Sequence, residues 1–297
     1  MKPMHAKVTP SGVFPKRFML STLRRLGYEV GLTLPNLVAP ANGAGGGRVL
    51  PLRVHLHRGG QTIRSLDITP DARQSHIQVW QRQWEAGITG DGADEDLITA
   101  EYLHEPADIP WLGPVMAQDV EGQFLARAGE NGRYSSVLTS MVPYRAPGYR
   151  FTPIIGLTHY YKFADDLENF TLFMNAKGIA AGENANSDGG NRLHIDYYSY
   201  AGAPLATTDI VVPTNGVLLH PLETSLAALG VPREALAGGV TSHCRGGASQ
   251  FSIFTLVRNR RSGAIGIEHS LPPYYYVTGV THPAIRGPFY KRALSGA

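Results

Sequence analysis

The chain has almost no cysteine, no long apolar run and no marked excess of either charge. Cys244 is the single cysteine in 297 residues, so no intramolecular disulfide forms and no all-cysteine metal site can be built. No window approaches 18 consecutive apolar residues, which excludes a membrane-spanning helix. The first 30 residues carry Lys2, Lys7, Lys16, Arg17, Arg24 and Arg25 without the apolar stretch of a secretory signal. A soluble, cytoplasmic protein in a reducing compartment is the resulting expectation. Lys and Arg number 27 against 24 Asp and Glu, for a net charge of +3. That balance is far from the one-sided charge of a nucleic-acid binder, so no nucleic-acid partner is expected. The local basic run Arg258-Asn259-Arg260-Arg261 reads as a solvated hairpin tip.

Catalytic signatures are missing too. There is no nucleophile elbow, Walker loop or dinucleotide fingerprint, and Gly45-Gly46-Gly47 and Gly246-Gly247 lack the strand–glycine–helix setting that cradles phosphate. His243 and Arg245 flank Cys244 and could activate its thiol, although a merely tolerated cysteine is the plainer reading.

What the chain has is glycine and proline, 34 and 21 residues, with 43% hydrophobic and 17% charged residues. Glycine and proline fall between short alternating apolar runs, the signature of many strands joined by turns. Leu50–His57 alternates Leu50, Leu52, Val54 and Leu56 with Arg53, His55 and His57, turns at Gly59-Gly60, and returns over Thr62–Ile68 to stop at Pro70. Leu193–Tyr200 does the same: it turns at Ala201-Gly202, returns over Leu205–Val212 and stops at Pro213. Each hairpin follows a strand (Tyr28–Leu34, Asn169–Asn175) and a loop of small residues, and precedes another strand (His76–Trp80, Val217–Leu219). Core parity aligns Leu52, Val54 and Leu56 with Leu193, Ile195 and Tyr197. Further echoes are Gln123-Phe124 with Gln250-Phe251, Met141–Tyr144 with Leu271–Tyr274, and Gly156–His159 with Gly279–His282.

The expected fold is therefore all-β: two tandem antiparallel β-sandwich, jelly-roll-like domains from an internal duplication, 1–150 and 151–297. Helix is scarce, with single turns at Ser21–Leu26, Ser225–Leu229 and Pro232–Ala237.

Function is expected on the polar side of Leu193–Tyr200, because its apolar side is shared by both halves. Alternation puts His194, Asp196, Tyr198 and Tyr200 on one face, and a passive outer face more often carries Lys, Glu and Thr. With His269 and Tyr275 they form a candidate ligand-binding set, in which flat rings beside Asp and His suit a sugar-like ligand or a protein partner. The leading expectation is a non-catalytic binding or scaffold protein without a cofactor, with oligomer formation open.

The alternative is an enzyme. His194-x-Asp196 followed by a later histidine resembles the two-histidine, one-carboxylate triad of non-haem iron oxygenases. Such a resemblance implies Fe2+ held by His194, Asp196 and His243, with His269 or His220 as other third ligands and Arg258 as the co-substrate's cation. The first half lacks the pattern; its His55-x-His57 with His76 is faintly cupin-like but has no following glutamate.

Overall fold

The computed structural model describes residues 17–39, 47–87, 94–105, 108, 111–112, 122–128, 134–138, 140–142, 156–157, 161–176, 191–245 and 250–269. The chain divides into two compact units, Met1–Tyr149 with Ala176–Glu183, and Arg150–Asn175 with Asn184–Ala297. The fold is all-β, with little helix.

The first unit contains strands β1 (Arg17–Ser21), β2 (Glu29–Pro35), β3 (Leu52–Arg58), β4 (Gln61–Ile68), β5 (His76–Trp80), helix α1 (Gln81–Glu85), β6 (Leu97–Tyr102), β7 (Gln123–Arg127), β8 (Tyr134–Leu138) and β9 (Ser140–Val142). They form two antiparallel sheets, ordered β4-β3-β6-β1-β9 and β5-β2-β7-β8. The second unit contains β10 (Gly156–Leu157), β11 (Leu167–Ala176), β12 (Arg192–Ser199), β13 (Pro204–Val211), β14 (Gly216–Pro221), helix α2 (Leu222–Ala228), β15 (Val240–Arg245), β16 (Gln250–Asn259) and β17 (Ile265–His269). Its sheets run β10-β15-β12-β13 and β14-β11-β16-β17.

Strand for strand, β13-β12-β15-β10 follows the order of β4-β3-β6-β1, and β14-β11-β16-β17 that of β5-β2-β7-β8. A short helix follows the fifth strand of each unit. The two hairpins even share an irregularity: the register slips between Leu56 and His57 in one and between Tyr197 and Tyr198 in the other. Those positions coincide when Leu56 is set on Tyr197. The extra residue of the return strand is Ile63 in β4 and Leu205 in β13, each the one its partner strand skips.

Period-2 alternation explains the cores. Leu52, Val54 and Leu56 of β3 and Leu193, Ile195 and Tyr197 of β12 are all at most 2% exposed, and burying an aliphatic side chain of this size is worth about 1.5–3 kcal/mol. In the first unit the inward rows of Phe18 and Leu20, Val30 and Leu32, and Phe124 and Ala126 are buried with them. In the second, Phe173 and Ile253 from one sheet and Leu193, Ile195 and Tyr197 from the other belong to one core cluster. Gly59 and Gly60 have φ of 54° and 82°, the left-handed pair a two-residue hairpin turn needs.

Several expectations change. Helix α2 starts at Leu222 because Leu222 and Leu226, one turn apart, are both fully buried. Gly156–Leu157 pairs with β15, so it opens the second unit; its supposed echo at 279–282 lies outside the described residues. The run from Arg258 to Arg261 is a hairpin tip, held by Asn259 Oδ1 accepting from the backbone N–H groups of Arg261 and Ser262. Arg258 and Arg260 both reach Glu168. Cys244 alternates out of phase with His243 and lies fully buried opposite Ile195, where burial pushes its thiol up to about 12; the activated-thiol reading falls.

His57 is a further departure. It was expected on an open polar face, and its ring does lie 6.0 Å from that of His55, but it is only 5% exposed. Nε2 is 3.0 Å from Thr99 Oγ1, and Nδ1 is 2.9 Å from Thr62 Oγ1. Burial, with His55 and Arg17 nearby, lowers its pKa from the usual 6.5 to about 4. The neighbouring Glu101 is hydrogen-bonded to His55 and ion-paired with Arg17, and is held at about 2.

Three outcomes are expected. Gly31 faces the Trp80 ring, and a Cβ there would lie 2.8 Å from Trp80 Cε3. The guanidinium of Arg127 sits 3.8 Å above the same ring and is tied to Glu29 at 2.7 Å, so the ring has little room to yield. Gly31→Ala is expected to cost about 1–3 kcal/mol in denaturant unfolding, and adding Trp80→Leu should recover part of the loss. Next, an unfolded chain protonates His57 at about 6.5 while the folded one resists to about 4. Its contribution is complete above pH 6.5 and is lost as pH falls to 4, a total of about 3 kcal/mol; Glu101 adds a separate loss from about pH 4.5 to 2. His57→Gln should flatten the stability profile between pH 6.5 and 4 and leave the lower limb in place. Finally, an aromatic disulfide reagent should find no reactive thiol in the native protein and one per chain in denaturant.

Candidate functional site

Strand β12 lies between β13 and β15, so its polar side chains have neighbours on both flanks. His194 stands opposite Asp209 and Arg245, Asp196 opposite Thr207 and His243, and Tyr198 opposite Pro204 and Thr241. Because Leu193, Ile195 and Tyr197 must point into the core, these residues share the other face.

At the centre is an Asp–His–Asp row. His194 Nε2 is 3.0 Å from Asp196 Oδ1, and Nδ1 is 3.0 Å from Asp209 Oδ1. A neutral imidazole donates one of these bonds and a protonated one both. The His194 side chain is 31% exposed, Asp196 18% and Asp209 51%, so the row is reachable from solvent. Beside it the rings of Tyr198 and His243 lie 4.8 Å apart, inclined at 42°. The arrangement presents fixed carboxylate acceptors next to an aromatic ring.

The face thus brings together His194, Asp196, Tyr198 and His243, but not the rest of the expected set. Tyr200 follows the strand: β12 ends at Ser199, the turn closes through the Ser199 N–H to Ala203 carbonyl bond, the Tyr200 N–H still donates to the Gly239 carbonyl on the β15 side, and Tyr200 is 69% exposed. His269 ends β17, in the other sheet of the unit and paired with Phe254. His220, on β14, faces the core, where its Nε2 is 3.0 Å from the Tyr197 hydroxyl and burial lowers its pKa. Arg258 is on β16 with Glu168. Tyr275 lies outside the described residues. Both ring nitrogens of His194 are engaged by carboxylates, and among the described residues no three His, Cys, Asp or Glu side chains are grouped to hold a metal ion.

Asp209 is the member that sequence reasoning missed. Counting back from the turn pairs His194 with Thr208; the extra residue, Leu205, moves the register by one and delivers Asp209 instead. The first hairpin held the clue, since at the equivalent position Arg53 makes a two-pronged ion pair with Asp67, both bonds at 2.7 Å. The two faces then diverge. His55 occupies the place of Asp196, and Glu101 that of Arg245. His55 bonds Ser65 at 2.8 Å and reaches Glu101 at 3.4 Å, while Arg17 closes on Glu101 at 3.0 Å.

No protein-family model and no curated protein matches the sequence. Among solved structures, the chain aligns with a biofilm-associated protein BSP domain at 9% identity and a TM-score of 0.26, over 96% of this chain and 63% of that one. It also aligns with β-glucuronidase from Ruminococcus gnavus at 7% identity and a TM-score of 0.17, over 87% of this chain and 35% of that one, and with the same enzyme in complex with D-glucuronic acid at equal identity and score. The chain spans less than two thirds of each of these proteins, and similarity at this level assigns neither family nor activity.

Proposed function

We propose that the chain is a non-catalytic binding or scaffold protein, built from two fused copies of one β-unit. Its second copy offers the face of His194, Asp196, Asp209, Tyr198 and His243 to a hydroxyl-rich, carbohydrate-like ligand. The observation that carries this reading is the Asp–His–Asp row beside the Tyr198 ring. Two carboxylates held by one imidazole accept hydrogen bonds from neighbouring hydroxyls without having to be ordered first. The adjacent ring supplies a flat apolar platform for the C–H side of a sugar. The matched strand orders and matched bulges support the duplication, and the divergence of the two polar faces supports a ligand role in the second copy.

A glycan array followed by calorimetry tests the reading. Wild-type protein is expected to bind a neutral or amino-sugar glycan, and Asp196→Asn and Tyr198→Ala to weaken it at least about tenfold while Arg53→Ala leaves it unchanged. Binding of no glycan, or equal binding by all three variants, would remove the carbohydrate reading. Metal analysis of the same preparation covers the iron alternative: stoichiometric metal lost on His194→Ala would replace a ligand face with a metal centre.

A further inference from the structure

Strand β13 forms one edge of its sheet, with β12 its single neighbour among the described residues. Together with β4 it is the longest edge strand described, eight residues. Edge strands are commonly guarded by lysine, by proline within the run, or by a covering segment. In β13 the run Ala206-Thr207-Thr208-Asp209-Ile210-Val211 has neither lysine nor proline, and Val211 is 54% exposed. On β4, by contrast, the Arg64 guanidinium reaches across to the Ala86 carbonyl.

The direction of the backbone groups follows from one hydrogen bond. Val212 N–H donates to the Asn191 carbonyl, so in this antiparallel ladder the even-numbered residues bond to β12. Thr207, Asp209 and Val211 therefore turn their N–H and C=O groups to the open edge.

We propose that β13 pairs antiparallel with β13 of a second copy of this chain, across a twofold axis at Thr208. Outward-facing backbone groups can meet in three centred registers. Centring on Asp209 sets two like charges directly opposite one another, which is destabilising. Centring on Ile210 sets Asp209 against Val211, leaving the carboxylate beside an aliphatic group. Centring on Thr208 sets each Asp209 opposite the other copy's Thr207, whose hydroxyl donates to it, and each exposed Val211 opposite the other copy's Leu205. This register exchanges about four backbone hydrogen bonds and is self-complementary, as a twofold interface requires. Thr207 and Asp209 share the face of His194, so the two ligand faces become one continuous sheet surface with paired sites. The pairing stands whether or not that face binds a glycan.

Light scattering over a concentration series, with three variants, tests the pairing. Wild-type protein is expected to form a dimer. Val211→Lys, which leaves the β12 ladder intact, should raise the dimer dissociation constant at least about tenfold; Thr207→Pro, which removes an outward N–H, should do the same. Thr208→Cys should form an intermolecular disulfide under air, because residues opposite one another at a non-hydrogen-bonded pair are about 4.5 Å apart. Thr207→Cys, whose copies are offset by two residues, should stay reduced, and Cys244 is buried. Melting curves identify any variant that fails to fold, and Val211→Lys with Thr208→Cys decides the outcome if Thr207→Pro does. A wild-type protein that is monomeric at every concentration overturns the proposal, as does a dimer unaffected by Val211→Lys in which Thr208→Cys stays reduced.

Discussion

The central strand of each unit must keep every second side chain out of water, and the rest of each unit depends on it. Leu52, Val54 and Leu56 in one copy, and Leu193, Ile195 and Tyr197 in the other, are almost wholly buried. A slip of one residue would expose the row and bury Arg53 and His55, or His194 and Asp196, at a cost of several kcal/mol per charge. The bulge follows from the same requirement. At Ile63 and Leu205 the return strand gains one residue, which lets the turn close while the pairing beyond it keeps the apolar rows aligned. Tyr197 adds a link to the other sheet of its unit by placing its hydroxyl on His220, a polar contact that the apolar row would not supply.

Once the inward row is settled, the polar row is free to vary, and it differs between the two units. The first copy closes on itself: Arg53 with Asp67, Arg17 with Glu101, His55 with Ser65, and His57 withdrawn between Thr62 and Thr99. Its charges are matched locally, so a ligand would have to break pairs to bind. In the second unit a single imidazole bridges two carboxylates, and an aromatic residue, Tyr198, stands where the first unit buries His57.

The legible parts of this fold are those governed by local rules. Alternation located β2 to β5 and β11 to β14 to within a residue or two, though not β6 and β15, and Gly59-Gly60 and Ala201-Gly202 located the turns, because these signals need no knowledge of the third dimension. The face of His194, Asp196 and Tyr198 follows from the same alternation. What escaped needs pairing information. Asp209 depends on a bulge that shifts the register by one. His269 is separated from His194 because β17 pairs with β16 in the other sheet. Tyr200 lies in the turn because the strand stops at Ser199, one residue before the alternating pattern ends. His57 is buried although its neighbours in the pattern are half-exposed, since Thr62 and Thr99 offer hydrogen bonds that compensate its desolvation.

The difference between the units extends from the face to the edge. Sheet edges are commonly guarded or paired, and on the first unit's edge strand β4 the Arg64 guanidinium bonds the Ala86 carbonyl. The corresponding strand of the second unit, β13, has the same bulge but no arginine, and Thr207, Asp209 and Val211 turn their backbone groups to its outer edge. Where β3 and β4 carry Arg53 and Arg64, the matching positions of β12 and β13 hold His194 and Ala206. The second hairpin does without the Arg53–Asp67 pair at little cost, because exposed ion pairs contribute about 0–1 kcal/mol each. Selection for contacts outside the chain could therefore act on the second hairpin without endangering the buried row beneath it.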